Sequence, residues 1–349
     1  MIKTKAFAFF TLAVLVSNLA GPTFADTKKS TKTKQTNALV ALLPASDGVA
    51  IFDAKRFLND ALPKVLSANQ PMLGKIMLKV NEMSNTTGID LRKFEQVAVG
   101  IAMKEVSPKN VDLDLVAVTR GDINAGALLA VAKLASKGAY REEKIGERSI
   151  YVFSAKDVVS KNAPKAANSK AQDIIERAID KMTKELAVAS LDRQTLVFGS
   201  LDRVKQTLDH QTTIAPDITD LLTARESSVF SFALRTPNGL AKLLPLESDE
   251  LGKNIDSVRY VSGSMDVAAA GATVVAMART EKPEQAKNLS DLLEGLQMLG
   301  KIFSNSKRGD QQIYGRMVEN AKIANRGTDV TLDMVVPQAD IDVLIAGMK

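Results

Sequence analysis

Two stretches of the chain follow one plan: a pair of apolar strands, then a helix. In the first, strands are expected at 97–104 and 111–119, and a helix opens at Gly121-Asp122. In the second, strands are expected at 257–265 and 270–279, and a helix opens near Pro283. The strand before the helix reads Val116-Ala117-Val118-Thr119-Arg120 in one copy and Val275-Ala276-Met277-Ala278-Arg279 in the other. Apolar runs of this length between turn residues are strand signals. Short turns between consecutive strands require antiparallel pairing. A chain that does this twice, with helices between the pairs, is confined to an α+β architecture.

The likeness extends outward. A strand at 48–52 leads into an amphipathic helix with Asp53 as its N-cap, and Pro63 should end or kink that helix. A strand at 229–234, followed by Thr236-Pro237 as N-cap and first helical residue, matches it. A hairpin about Gly146 joins 140–145 to 149–153, and Gly309-Asp310-Gln311-Gln312-Ile313-Tyr314 echoes Gly146-Glu147-Arg148-Ser149-Ile150-Tyr151. Strands at 186–189 and 195–198, then a helix from Ser200, are echoed by 322–324, 332–336 and a last helix at 338–348. A helix at 71–83 and a loop with a helix around 160–185 occur in the first copy only. The reading is two related α+β repeats of antiparallel strand pairs, with helices packed on one face of each. The first covers 39–213, with an inserted helix at 171–185, and the second covers 214–349.

The first 25 residues read as a secretory signal. Lys3 and Lys5 precede an apolar stretch too short to span a bilayer, and Thr23-Phe24-Ala25 offers a cleavage site. Residues 26–38 read as a disordered Lys/Thr-rich linker. The chain carries +6 at pH 7, but the leader and linker hold most of the excess, leaving about +1 on the remainder. That balance argues against a nucleic-acid surface. The run 267–278 is too short for a membrane span and reads as a buried strand, so no transmembrane segment is expected once the signal is removed.

Chemistry is sparse. There is no cysteine, and His210 is the one histidine, so the usual zinc and haem sites are excluded. A Ser-His-Asp triad would have to use His210, which sits where a helix C-terminus is expected and reads as a solvated cap. Gly199-Ser200-Leu201-Asp202 and Gly263-Ser264-Met265-Asp266 look alike, but the first opens a helix and the second is expected between two strands. Asp112 and Asp114 share one strand face near Asp90, which reads as a polar sheet face. Glu142, Glu143 and Glu147 with Lys144 and Arg148 make a mixed-charge hairpin that resists strand addition. Arg308-Gly309-Asp310 is expected in a polar loop, and Asn85 and Asn288 head glycosylation patterns. No catalytic, cofactor-binding or metal-binding residue is assigned, and no cofactor is expected.

Leu43-Pro44-Ala45-Ser46-Asp47-Gly48, with Asp192-Arg193-Gln194-Thr195-Leu196-Val197-Phe198-Gly199 before a helix carrying Val204 and Leu208, resembles a group of exported bacterial proteins of unknown function. They share a Leu-Pro-x-x-Asp opening and an Asp-x-x-Thr-Leu-x-x-Gly strand. The resemblance spans nearly all of the mature chain. It implies an envelope location and a duplicated α+β fold, and it brings no site residue. The expectation is an exported, periplasmic or extracellular, non-enzymatic protein that binds an envelope protein or an apolar ligand. A hydrolase with a carboxylate- or Ser-centred site and a structural envelope protein are the alternatives.

Overall fold

The computed structural model describes residues 38–107, 110–154, 185–223, 228–237, 249–304 and 309–346. The expected leader, all but the last residue of the linker, the 160–170 loop, nearly all of the inserted helix, the helix after Pro237 and Arg308 lie outside them.

In chain order, β1 (Gly48–Asp53) runs into helix α1, built from Ala54–Arg56, a π turn at Phe57–Ala61, and Leu62–Val65. Helix α2 (Gln70–Thr87) leads to β2 (Phe94–Ser107) and β3 (Asn110–Gly121), then α3 (Ala125–Ala135). Next come β4 (Tyr140–Ile145), β5 (Arg148–Phe153), β6 (Leu186–Ser190), β7 (Thr195–Gly199), α4 (Leu201–Asp209) and α5 (Pro216–Thr223). The remainder is β8 (Phe230–Arg235), α6 (Asp249–Asp256), β9 (Val258–Ala268), β10 (Gly271–Thr280), α7 (Pro283–Ser304), α8 (Gly309–Asn320), β11 (Lys322–Arg326), β12 (Asp329–Pro337) and α9 (Gln338–Ala346). The fold is α+β, with every recorded strand pair antiparallel.

The described chain divides into two compact units. The first holds residues up to Lys55 and Ile76–Asp220; the second holds Arg56–Lys75 and Leu221–Lys349. The first has strand order β1-β2-β3-β7-β6-β5-β4, the second β8-β9-β10-β12-β11. Most of α1 therefore belongs to the second unit, although it precedes β2 in sequence. There the Gln338 amide donates to the Lys64 carbonyl at 2.9 Å, and the Ser67 hydroxyl donates to Asp342 at 3.0 Å.

Pro63 does not end α1. The Leu62 N–H bonds to the Phe57 carbonyl five residues back, which widens the turn just before the proline. A proline ring clashes with the carbonyl four residues back in a regular helix, and a π turn moves that carbonyl aside.

Helices lie on both faces of each unit's strands, which corrects the one-face expectation. In the first unit Leu196 packs with Ala125 and Leu129 of α3. Leu196 pairs with Thr119, whereas Val116, three residues earlier on β3, points to the opposite face. That opposite face, at Gly100 beside Val116, meets Arg203 of α4. In the second unit Val261 packs with Ala286 and Leu289 of α7. Asp266, on the other side of β9, is paired with Arg56 of α1 at 2.6 Å. A second correction concerns 309–314: its hairpin-like pattern forms the start of α8.

Candidate binding surface

The two faces of the first unit's sheet differ in composition and burial. One carries Val49, Ile51, Ala98, Gly100, Val116, Val118, Ala187, Ala189, Ile150 and Val152, all buried. These are mostly small or β-branched residues, so α4 can approach the backbone closely. The other face carries larger groups: Phe52, Val99, Ile101, Met103, Leu113, Leu115 and Phe198 are each only half-buried. The cross-strand pairs Ile101↔Leu115 and Met103↔Leu113 make a contiguous apolar stripe. At roughly 3.3 Å per residue, Val99 to Met103 spans about 13 Å.

The second unit shows the contrast in part, since Met265, Val267, Ala272 and Val336 on its α7 side are buried. Ser231, Ala233, Ser262, Ser264 and Val275 are buried on the α1 side. On the α7 side Phe230, Phe232, Leu234, Val274, Leu332 and Met334 stay half-buried. Phe232 lies against Gly263, where an added Cβ would meet the ring at 2.8 Å. Isolated exposed apolar residues are ordinary, whereas a contiguous stripe marks an interaction surface.

A polar cluster lies on the buried face of the first unit. The Arg203 side chain, 5% exposed, donates from Nη1 to the Ala45 carbonyl at 2.8 Å and to Gln206 Oε1 at 2.7 Å, and from Nη2 to the Ser46 hydroxyl. Ser46 in turn donates to the Pro44 carbonyl at 2.9 Å. Asp47 accepts from the Met103 N–H at 2.8 Å, and Asp114, 3% exposed, lies 3.5 Å from Lys104 Nζ. Burial lowers the Arg203 pKa, and the Asp114 and Asp47 charges oppose that shift. Gly100 leaves room for the clamp, since a Cβ there would stand 2.7 Å from Ser46 Oγ. The cluster thus ties the Leu-Pro-x-x-Asp loop to α4. It holds no nucleophile with a base beside it. Arg203 lies one turn before the buried Thr207 on α4, whose hydroxyl donates to the Arg203 carbonyl at 3.0 Å.

The other singled-out residues stay apart. His210 closes α4 in the left-handed conformation, φ 51°, its N–H bonding to the Gln206 carbonyl, as a helix end should. Ser200 occupies the N-cap of α4, but its buried hydroxyl makes no capping bond. Gly263-Ser264-Met265-Asp266 lies inside β9, since the turn to β10 falls later, at Ala269-Ala270. Asp90 caps the short turn Leu91–Lys93 and grips Arg92, whose guanidinium lowers its pKa. Gly309 and Asp310 begin α8, so they lie in no loop. Asn85 and Asn288 are exposed on α2 and α7. Glu142 and Glu143 lie on β4, where Glu143 is 2.6 Å from Lys205. Among the described residues no cluster of acidic or histidine side chains could hold a metal ion, and no helix is long and apolar enough to cross a membrane.

No family model matches the chain, and no curated protein matches it. It is distantly similar to crystal structures of TP0453. Crystal form I aligns at a TM-score of 0.42 and 10% identity, over 88% of this chain and 96% of that one. Crystal form III aligns at 0.43 and 8%, over 88% and 98%.

Proposed function

We propose that this chain is an exported, non-enzymatic binding protein that holds a slender apolar ligand against the half-buried sheet face. One observation carries the reading: Val99, Ile101, Met103, Leu113 and Leu115 form a contiguous apolar stripe that remains half-buried, while Ala98, Gly100, Val116 and Val118 on the opposite face are sealed. A face that is half-covered and lacks hydrogen-bonding side chains along the Val99–Met103 stripe suits an extended hydrocarbon better than a polar substrate. Export is supported by the basic, apolar and small-residue order of the first 25 residues.

The body of the protein derives, in this reading, from duplication of one unit. Both units use the same order for their first five strands. Both carry a bulge at the same place, where Glu95 and Arg259 are skipped in pairing. In both, a fully buried alanine of the following helix, Ala125 or Ala286, packs on the corresponding strands.

Titration of the purified chain with cis-parinaric acid, a fluorescent fatty acid, tests the ligand reading. Saturable binding that weakens about tenfold in Leu115→Glu supports it. Equal uptake by wild type and variant, with both folded, overturns it. N-terminal sequencing of the envelope-purified protein should start at Asp26; an intact leader would refute export by this signal.

A further inference from the structure

The apolar stripe of the first unit does not stop at β3. Antiparallel pairing carries one face across the sheet: Ile101 lies opposite Leu115, Leu186 opposite Phe153, and Phe153 opposite Tyr140. The row crosses β7 where that strand ends, at Gly199, which pairs with Val116 on one side and Ala187 on the other. Leu115 and Leu186, each one residue earlier on its strand, therefore share the row, and both are half-buried. With neighbouring strands about 4.8 Å apart, Leu115 to Tyr140 spans about 19 Å, the reach of a long extended acyl chain. Helix α3 packs on the adjacent row, against Val188 and Tyr151, and so lines one side.

The far end of the row carries a charge. Lys133 is the only charged residue of α3. A charge placed for solubility would sit on the outer side of the helix, yet Ala127, Ala130 and Leu134 are exposed there. Lys133 is half-buried and turned to the sheet, its Nζ 3.5 Å from the centre of the Tyr151 ring and 5.6 Å from that of Tyr140. Tyr140 packs on Tyr151 and Phe153, with ring centroids 5.9 and 5.7 Å apart. The ring faces attract the ammonium and fix its place, but they hold no net charge to neutralise it. Among the described residues Glu142 is the one carboxylate whose field reaches Lys133. It accepts from the Ser149 hydroxyl at 2.6 Å and the Tyr151 hydroxyl at 3.4 Å, and it forms no ion pair with Lys133.

We propose that Lys133 makes this face select an acid head group. It holds the carboxylate of a long-chain fatty acid whose tail runs along the row to the stripe at Ile101 and Leu115. This rests on the apolar-ligand reading above, and it fixes which end of the ligand is charged and where that end lies. One ammonium matches the single charge of a carboxylate. A phosphate monoester would bring a second negative charge toward Glu142.

Paired titrations of the full mature chain with cis-parinaric acid and with its methyl ester test this. The two probes share one tail, so the ratio of their affinities reads the head alone. Wild type should prefer the acid by about tenfold at neutral pH. Lys133→Met keeps the stem and drops the charge, and should abolish that preference; Lys133→Arg should restore it. Equal affinity of wild type for acid and ester, or a preference that survives in Lys133→Met, overturns the role of Lys133 while the ligand reading stands. Binding of neither probe to folded wild type overturns both.

Discussion

The two faces of the first unit's sheet share their strands and differ in what covers them. One face is mostly small or β-branched and sealed; the other is sealed by α3 at Leu196 but half open along the stripe of Val99, Ile101, Met103, Leu113 and Leu115. Hydrophobic burial scales with area, so a chain tuned for stability alone would seal the larger groups. The contrast separates the roles. The sealed face holds the unit together, and the open one keeps apolar area available for a partner.

Substitutions should break this contrast in a definite order. Arg203→Ala removes the buried guanidinium that donates to the Ala45 carbonyl, the Ser46 hydroxyl and Gln206, and should cost about 3 kcal/mol in urea unfolding. An unchanged midpoint would show that the clamp holds nothing. Ala98→Leu overpacks the sealed face and should cost about 1–3 kcal/mol, whereas Val99→Leu, one residue along on the open face, should stay within about 0.5 kcal/mol. Equal costs at 98 and 99 would erase the distinction between the faces. Leu115→Ser should cost about 1 kcal/mol, in line with half-burial, and should weaken fatty-acid binding more than stability. The smallest effect belongs to Asp90, which lies on neither face. Arg92 holds its carboxyl below the ordinary range, so its contribution is complete above the usual carboxylate pKa and fades as pH falls through the lowered value. Because Arg92 is largely exposed, that contribution is under about 1 kcal/mol. Asp90→Asn should flatten the acid limb of the stability profile slightly, and an unaltered limb would rule the pair out as a contributor.

The strands were legible because alternation and turn residues are local signals. β2, β3, β9 and β10 fall where the apolar runs place them, with ends shifted by a few residues. The face on which each helix lies was not legible, because strand periodicity says that two faces exist without saying which helix covers which. The echo between 146–151 and 309–314 misled for a related reason. Six residues ending in an apolar pair fit either a hairpin or a helix start. The spacing does not decide, since Ile313 and Met317, four apart and both buried, share one side in a helix and in a strand alike; the backbone closes into α8, which runs on to Asn320. Arg203 escaped attention because its partners, Ala45 and Ser46, are more than 150 residues away in sequence. The open face was hidden too: Ile101 and Leu115 lie in the expected strands 97–104 and 111–119, and only their half-burial sets them apart.

The position of α1 sets a schedule for synthesis. Phe57, Leu58 and Leu62 are made long before most of their own unit, and all are buried in the unit that Leu221–Lys349 completes. At roughly 5–20 residues per second, α9 follows α1 by about 15–60 s. Until β9 is made the α1 stripe lacks its strand face, and until α9 it lacks the helix that holds Lys64 and Ser67. A holding chaperone that favours amphipathic helices has one obvious handle on the nascent chain, and it lies at 57–62.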